Sequence, residues 1–370
     1  MNDAQYFADP AVSNSKLGMI DPTDGGSPLG YKSYHDNNFE QKNTLSLDRG
    51  KLLHLFMLEP EKYHVLTVPK PTAGLGLFVD AFIEQLDTPS PVVGELASID
   101  DVSADYFETI ADGLGYEDSE ANAAMLVNAV RQARIKSDYS LTYKEPTILK
   151  NIVEKGLAYI VDACNEANKH KQGVTQVDAD TIKACSKSIN SHPLAPKLLN
   201  PSDVWIEQYN ELTVMWTVKI EVEGEMIEVD CKAKLDKMLV QIEKKILDIN
   251  DIKTTGFKVS KFGRESFIRF RYYRQAAFYT RAAFAWLKQN GHNPNEWTVN
   301  FNNIVVETKG LFECKVYRAP DYWIKRGTNE YRDLMHRTAW HMKHNAWTYD
   351  MEDTLNGYIT DIPLPEGIAA

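Results

Sequence analysis

Four consecutive runs in the second half of the chain restrict its fold most tightly. Residues 204–209, 213–222, 226–235 and 245–252 are rich in β-branched side chains and alternate apolar with polar. A period of two marks strands that bury one face, and Gly224 supplies a turn between the second and third runs. From 265 to 289 the apolar positions recur at helical spacing, and Asn290-Gly291 ends the pattern. Strand texture returns over 298–306 and 312–319, and 321–345 is again helical. A strand–strand–strand–helix–strand order excludes a helical bundle. It predicts a mixed α/β fold, with a mixed central sheet and flanking helices. Upstream, Leu45, Leu52, Leu53, Phe56 and Met57 predict a helix over 45–58, stopped by Pro60. Further helical patterns cover 76–87, 119–136, 145–170 and 177–191.

With 370 residues, 43% of them hydrophobic, the chain can bury a core without disulfides or a structural metal. No apolar run approaches membrane-spanning length, so no membrane association is expected. The first residues lack a basic stretch and an apolar stretch, so no secretion signal is expected either. Cys164, Cys185, Cys231 and Cys314 are scattered, which disfavours a zinc knuckle or an iron–sulfur cluster and fits a reducing cytoplasm. The net charge of -11 argues against a general nucleic-acid coat, yet it hides an asymmetry. Residues 71–130 hold 12 acids and no Lys or Arg, whereas 231–290 hold 14 Lys plus Arg against 5 acids. The basic block reads either as a phosphate-binding surface or as a solvated helix face. The acidic stretch reads as a soluble insertion, or as a DNA-mimicking or docking surface.

The chemistry concentrates on two neighbouring strands. Asp236 closes the third run, and the fourth, within ILDINDIKTT, carries Asp251 and Lys253 two positions apart. Residues i and i+2 of a strand share a face, and antiparallel pairing would bring Asp236 beside them. Two carboxylates can hold Mg²⁺ through oxygen. The metal would polarise a phosphodiester and lower the pKa of a bound water, while the lysine stabilises developing charge. An Asp-x-Lys on a strand is also a common exposed ion pair, so the spacing alone leaves both readings open. Asp248 and Asp230 are rivals; Asp248 has the opposite parity to Asp251, and Asp230 lies farther back than Asp236.

This pattern, together with VSNSKLGMID at 12–21, DRGKLLHLFMLEPEKY at 48–63 and FIRFRYYRQAAFYTRAAF at 267–284, resembles the PD-(D/E)xK nuclease superfamily. Within its RecB-like group the blocks are most similar to the phage exodeoxyribonuclease VIII (RecE-like) branch, with Trp347-x-Tyr349 as a weaker C-terminal echo. The resemblance implies a restriction-endonuclease-like core. It implies metal binding by His54, Asp236 and Asp251, and catalysis by Lys253. Gln275 and Tyr279, which share a helix face, would line the site and contact the DNA backbone or hold Lys253. Glu207 would be an accessory acid. Without the resemblance, His54 reads as a core histidine among leucines. Two departures stand out: Asp251 where many members carry Glu, and Tyr273 where relatives often carry His.

Lys258, Lys261, Arg264, Arg271 and Arg274 would neutralise phosphates, with interleaved aromatics available for stacking. Lys258, Lys261 and Arg264 precede the helix and are expected to be the exposed ones. No base-reading element is evident, so little sequence specificity is expected. The composition and the blocks together divide the chain into an N-terminal part with the His-bearing helix (1–69), an acidic, mostly helical insertion (70–200), the nuclease core (201–350) and a tail (351–370).

The resemblance further implies a Mg²⁺-dependent exodeoxyribonuclease, with Mn²⁺ as a substitute, digesting linear duplex DNA from an end for phage-type recombination or DNA processing. It also implies a ring-shaped homo-oligomer and a single-strand annealing protein as partner. The competing expectation is a catalytically inactive nuclease-fold protein that binds a host protein through its acidic insertion.

Overall fold

The computed structural model describes residues 3–36, 45–86, 101–117, 119–137, 144–165, 168 and 171–359. The chain divides into two compact units, Met1–Leu58 with Ala184–Ala370, and Glu59–Lys183. The first unit opens with helices α1 (Asp3–Ala8), α2 (Asn14–Met19), α3 (Pro28–His35) and α4 (Leu45–Leu58). The second holds β1 (Tyr63–Val65), α5 (Ala73–Leu86), α6 (Asp101–Leu114), α7 (Glu120–Ser137), α8 (Glu145–Asn151), α9 (Leu157–Cys164) and β2 (Gln172–Val174). Its strands pair in parallel, and Phe78, Phe82, Ile110, Val130 and Ile148 belong to its own separate core. Helix α10 (Gln176–Ser191) crosses the division, and α11 (Ala195–Leu199) follows in the first unit.

The main sheet contains β3 (Glu207–Val222), β4 (Glu225–Gln241), β5 (Ile246–Thr255), β6 (Thr298–Glu307) and β7 (Cys314–Arg318), in that spatial order. Every pair is antiparallel except β5 with β6, which run parallel. A parallel pair needs a crossover, and α12 (Tyr272–Gln289) supplies it. Helices α13 (Asp321–His344) and α14 (Met351–Leu355) complete the unit. This is the mixed α/β architecture that the alternation predicts.

Two details depart from the pattern. The runs 204–209 and 213–222 fuse into one strand, because the register with β4 continues from Glu207 opposite Val240 to Val222 opposite Glu225. The interruption reduces to Glu211, whose φ is 48°. Helix α12 starts at Tyr272 rather than near 265, because Gly263–Ile268 forms a π-helical turn and Arg271 takes a left-handed φ of 54°. The predicted turn is present. Glu223 and Gly224, with φ of 51° and 80°, form the two-residue left-handed loop that suits the twist of a hairpin.

Strand β4 outruns its partner. It pairs with β5 only from Lys237 to Gln241. The N-terminal segment fills part of the free edge: Val12 N–H donates to Asp230 O at 2.8 Å, and Lys232 N–H donates to Val12 O at 2.8 Å. Ser13 caps α2, and buried Lys16 donates its ammonium to Pro10 O at 2.8 Å. On one face of the sheet Leu247, Ile249, Phe301 and Val305 share a core with Ala276, Ala282 and Ala283 of α12. On the other, Asn250 donates to Leu198 O of α11 at 2.9 Å, and Gly50 of α4 lies against Thr254.

Helices α12 and α13 touch through Gly327. A Cβ there would run into the Tyr273 carbonyl and come within 2.9 Å of Ala277 Cβ. Alanine would gain about 1 kcal/mol of helix propensity, but overpacking against backbone costs about 1–3 kcal/mol. Gly327→Ala is therefore expected to lower the unfolding free energy by roughly 1 kcal/mol or more, read from urea denaturation; an increase would show that the two helices separate freely.

Candidate active site

The ladder between β4 and β5 stops at Lys237 opposite Asn250. One residue further, Asp236 and Asp251 stand where the next pair would form. Asp236 Oδ2 instead accepts the Ile252 N–H at 2.9 Å. Period two then places Lys253 beside Asp251, and its Nζ lies 2.6 Å from Asp251 Oδ2. The same ammonium sits 5.1 Å from the centre of the Tyr272 ring. From α12, Gln275 Nε2 donates to the other Asp251 oxygen at 3.1 Å. Gln275 thus holds Asp251 rather than Lys253. Tyr279, one turn on, lies beside Gln275, and burial keeps its hydroxyl protonated well above the ordinary range.

Helix α4 brings in His54. Its Nε2 lies 2.9 Å from the Ile252 carbonyl oxygen and 3.4 Å from Asp236 Oδ2, and its Nδ1 lies 3.8 Å from Glu211 Oε1. The second Glu211 oxygen is 2.8 Å from Lys234 Nζ. Glu211 is the acid that the sequence did not single out. Glu207, the expected accessory acid, is exposed at the start of β3 and accepts a hydrogen bond from Tyr209 at 2.9 Å. Four residues of strand, about 13 Å, separate the two glutamates. The missed signal was countable: stepping back along both strands from the Glu223–Gly224 turn brings Glu211, not Glu207, level with Asp236.

The charges interlock. Burial, reinforced by Asp251 and opposed by His54, pushes the Asp236 carboxyl up to about 7. Burial disfavours the His54 imidazolium, but Asp236 and Glu211 outweigh it and lift the ring to about 9. Burial also works against the Lys253 ammonium, and Asp251 and Asp236 overcome it, so the lysine stays protonated. Three carboxylates (Glu211, Asp236, Asp251) face two ammonium groups and one imidazolium. Donor atoms of His54, Glu211 and Asp236 lie within 4.8 Å of one another, close enough to ligate one ion. Carboxylate oxygens with a single imidazole suit a hard or borderline divalent cation. The convergence of these donor atoms on one place, with that donor chemistry, fits a metal.

The basic residues separate into two groups. Lys261 and Arg264 are exposed, and Lys258 is half-exposed near Glu307 and Glu313. Arg274 is not a surface residue. Its guanidinium is buried, 2.6 Å from Asp21 and 3.2 Å from Glu330. Arg271 is tied to Tyr273 at 2.7 Å, to Thr23 at 3.0 Å and to Asp24 at 3.6 Å. Both arginines anchor the N-terminal segment to α12 and do not offer free phosphate contacts. Tyr273 is buried and donates to Glu330 at 2.7 Å, away from the acids. The rival acids are engaged elsewhere: Asp248 with Asn300 at 2.8 Å, and Asp230 with Thr217 at 2.7 Å.

A mixed sheet whose strands β4 and β5 part at a pair of aspartates, with a lysine two residues after the second, is consistent with a PD-(D/E)xK-like fold. The chain belongs to the family described as PDDEXK-like domain of unknown function (DUF3799), whose profile matches residues 143–354, more than half of its length. Among solved structures it is similar to a crystal structure of a provisionally named exonuclease from Eubacterium rectale, at 11% identity and a TM-score of 0.46 over 100% of this chain and 99% of that one. No curated protein matches the chain. Among the described residues no helix is long and apolar enough to cross a membrane.

Two outcomes test these assignments. Arg274→Ala leaves Asp21 buried without its cation and is expected to lower stability by about 3–5 kcal/mol in chemical denaturation, where a DNA-contacting arginine would leave it unchanged. Asp236→Asn is expected to weaken Mn²⁺ binding by roughly ten-fold or more in calorimetry, and Glu207→Gln to leave it intact. Equal loss in the two variants would return the accessory role to Glu207.

Proposed function

We propose that this chain is a metal-dependent DNA exonuclease that hydrolyses linear duplex DNA from an end. The observation that carries the reading is the Lys253 ammonium paired to Asp251 at the point where β4 and β5 part, with Asp236 across the gap. His54, Glu211, Asp236 and Asp251 would hold Mg²⁺, with Mn²⁺ able to substitute. When bound, the cation supplies polarisation of a phosphate oxygen and a water of lowered pKa. Lys253 contributes fixed positive charge where negative charge develops, and burial strengthens its effect. Gln275 keeps Asp251 from rotating, and the Tyr272 ring confines the ammonium to one side. Lys258, Lys261 and Arg264 follow Lys253 within eleven residues and would neutralise backbone phosphates.

The order of the four sequence blocks supports placement in the RecE-like branch. That placement brings the expectations of a homo-oligomeric ring, an annealing-protein partner and a role in phage-type recombination. The intact Asp236, Asp251 and Lys253 set favours catalysis over a purely binding role.

The test is cleavage of end-labelled linear duplex beside closed circular DNA, in Mg²⁺, Mn²⁺ or EDTA. Linear DNA alone is expected to be degraded, only with metal, and Lys253→Ala is expected to reduce the rate by about 10²-fold or more. Degradation of the circle would replace the exonuclease with an endonuclease. Folded protein that cuts neither substrate and gains no thermal stability from Mg²⁺ or Mn²⁺ would favour the host-binding reading.

A further inference from the structure

Three asparagines of β6, Asn300, Asn302 and Asn303, lie level with Asp248, Asn250 and Asp251 of β5. Two of them bond across the strands. Asn300 Nδ2 donates to Asp248 Oδ1 at 2.8 Å, and Asn302 Nδ2 donates to Asn250 Oδ1 at 2.9 Å. Asn303 does not. It is 1% exposed, and neither its Oδ1 nor its Nδ2 has a hydrogen-bond partner among the described residues. Residues in register on parallel strands project to the same face, so Asn303 shares the face of Asp251. Gln275 donates to one Asp251 oxygen; the other, Oδ2, is ion-paired to Lys253 at 2.6 Å but, like the Asn303 amide, accepts no well-formed hydrogen bond among the described residues.

A buried carboxamide with both ends unbonded is destabilising, and on an inner strand a valine would pack without that penalty. Such a group beside an acid of the site calls for a cause. Lys253 supplies one. Its ammonium is largely buried, protonated, and dependent on Asp251 Oδ2. If a cation takes that oxygen where it stands, the ammonium needs another acceptor. Asp236 already takes the Ile252 N–H and faces His54, and the Tyr272 ring centre stands 5.1 Å from the ammonium. Among the described residues, Asn303 Oδ1 is a buried acceptor on the same face that has no partner.

We propose that Asn303 is a positioning residue for the Asp251–Lys253 pair, its side-chain oxygen reserved for the Lys253 ammonium when Asp251 engages a cation. The inference rests on the reading of the site as a metal centre. It predicts a residue retained at the expense of stability, which a merely structural asparagine is not.

The experiment compares the full chain with Asn303→Val and Asn303→Asp. Asn303→Val is expected to raise the metal-free melting midpoint by about 2 °C or more, since it removes the orphaned amide. The same variant is expected to weaken Mn²⁺ binding in calorimetry, and to lower kcat at saturating Mn²⁺ with KM unchanged, by roughly ten-fold each. Asn303→Asp keeps an acceptor oxygen in place and is expected to recover most of kcat. A lower metal-free midpoint in Asn303→Val, with Mn²⁺ affinity kept, would overturn the proposal, because the amide would then be bonded in the resting fold. So would a raised midpoint with unchanged Mn²⁺ affinity. If the valine crowds the strand, Asn303→Ala carries the affinity comparison. A wild-type chain that binds Mn²⁺ but cuts no DNA would sink the nuclease reading alone, and the thermal and calorimetric comparisons would still decide the role of Asn303. A wild-type chain that binds no Mn²⁺ would remove both.

Discussion

Asp236 stands in for a backbone carbonyl. At the level where β4 and β5 part, the Ile252 N–H has no ladder partner and is buried. A buried peptide group must be satisfied, and here a side-chain carboxylate does it. The carbonyl of the same residue receives the ring of His54. One residue, Ile252, therefore fixes two of the site's groups through its two flanking peptide bonds. With Ile252 held, Asp251 and Lys253 on either side of it are fixed as well, because the strand allows them only one face. The spacing of the site is a product of the sheet's own hydrogen bonding, and loop conformation has little part in it.

That origin explains what the sequence made legible. Asp236, Asp251 and Lys253 follow from strand parity and one antiparallel pairing, both local properties. The hairpin turn at Gly224 was equally plain. Glu211 was hidden, because its relevance depends on register counted over a dozen residues and through a left-handed backbone position. The start of α12 was hidden for a related reason. Apolar spacing continues smoothly through Phe267 and Phe270, while the backbone passes through a π-turn and a left-handed Arg271 that leave no mark on periodicity. Residues 184–200, grouped with the insertion by composition, pack in the first unit through contacts such as Asn250 with Leu198.

Charge misled where partners were distant in sequence. The block from Cys231 to Asn290 carries a strong positive excess. Much of it points inward. Lys232 is buried against the Asp9 carbonyl at 2.7 Å, Lys234 serves Glu211, Lys237 donates to Asn210 at 2.8 Å, Lys253 serves Asp251, and Arg274 serves Asp21. A count of charges cannot separate an internal cation from a phosphate contact. Among the described residues of this block, Lys261, Arg264 and other exposed cations remain at the surface, which makes the basic surface narrower than the charge count suggested.

The pairing of Val12 with β4 and the Arg274–Asp21 ion pair also set an order of events during synthesis. Asp21 leaves the ribosome 253 residues before the arginine that neutralises it. At ordinary translation rates of about 5–20 residues per second, it waits roughly 10–50 seconds. Through that interval the edge-filling segment around Val12 has no strand to join, and the first helices have no core. The unit that carries the acids is assembled from both sides of Glu59–Lys183, so its halves meet only after the intervening unit has been made. The nascent chain therefore holds an unpaired, strand-competent segment around Val12 until β4 has been made.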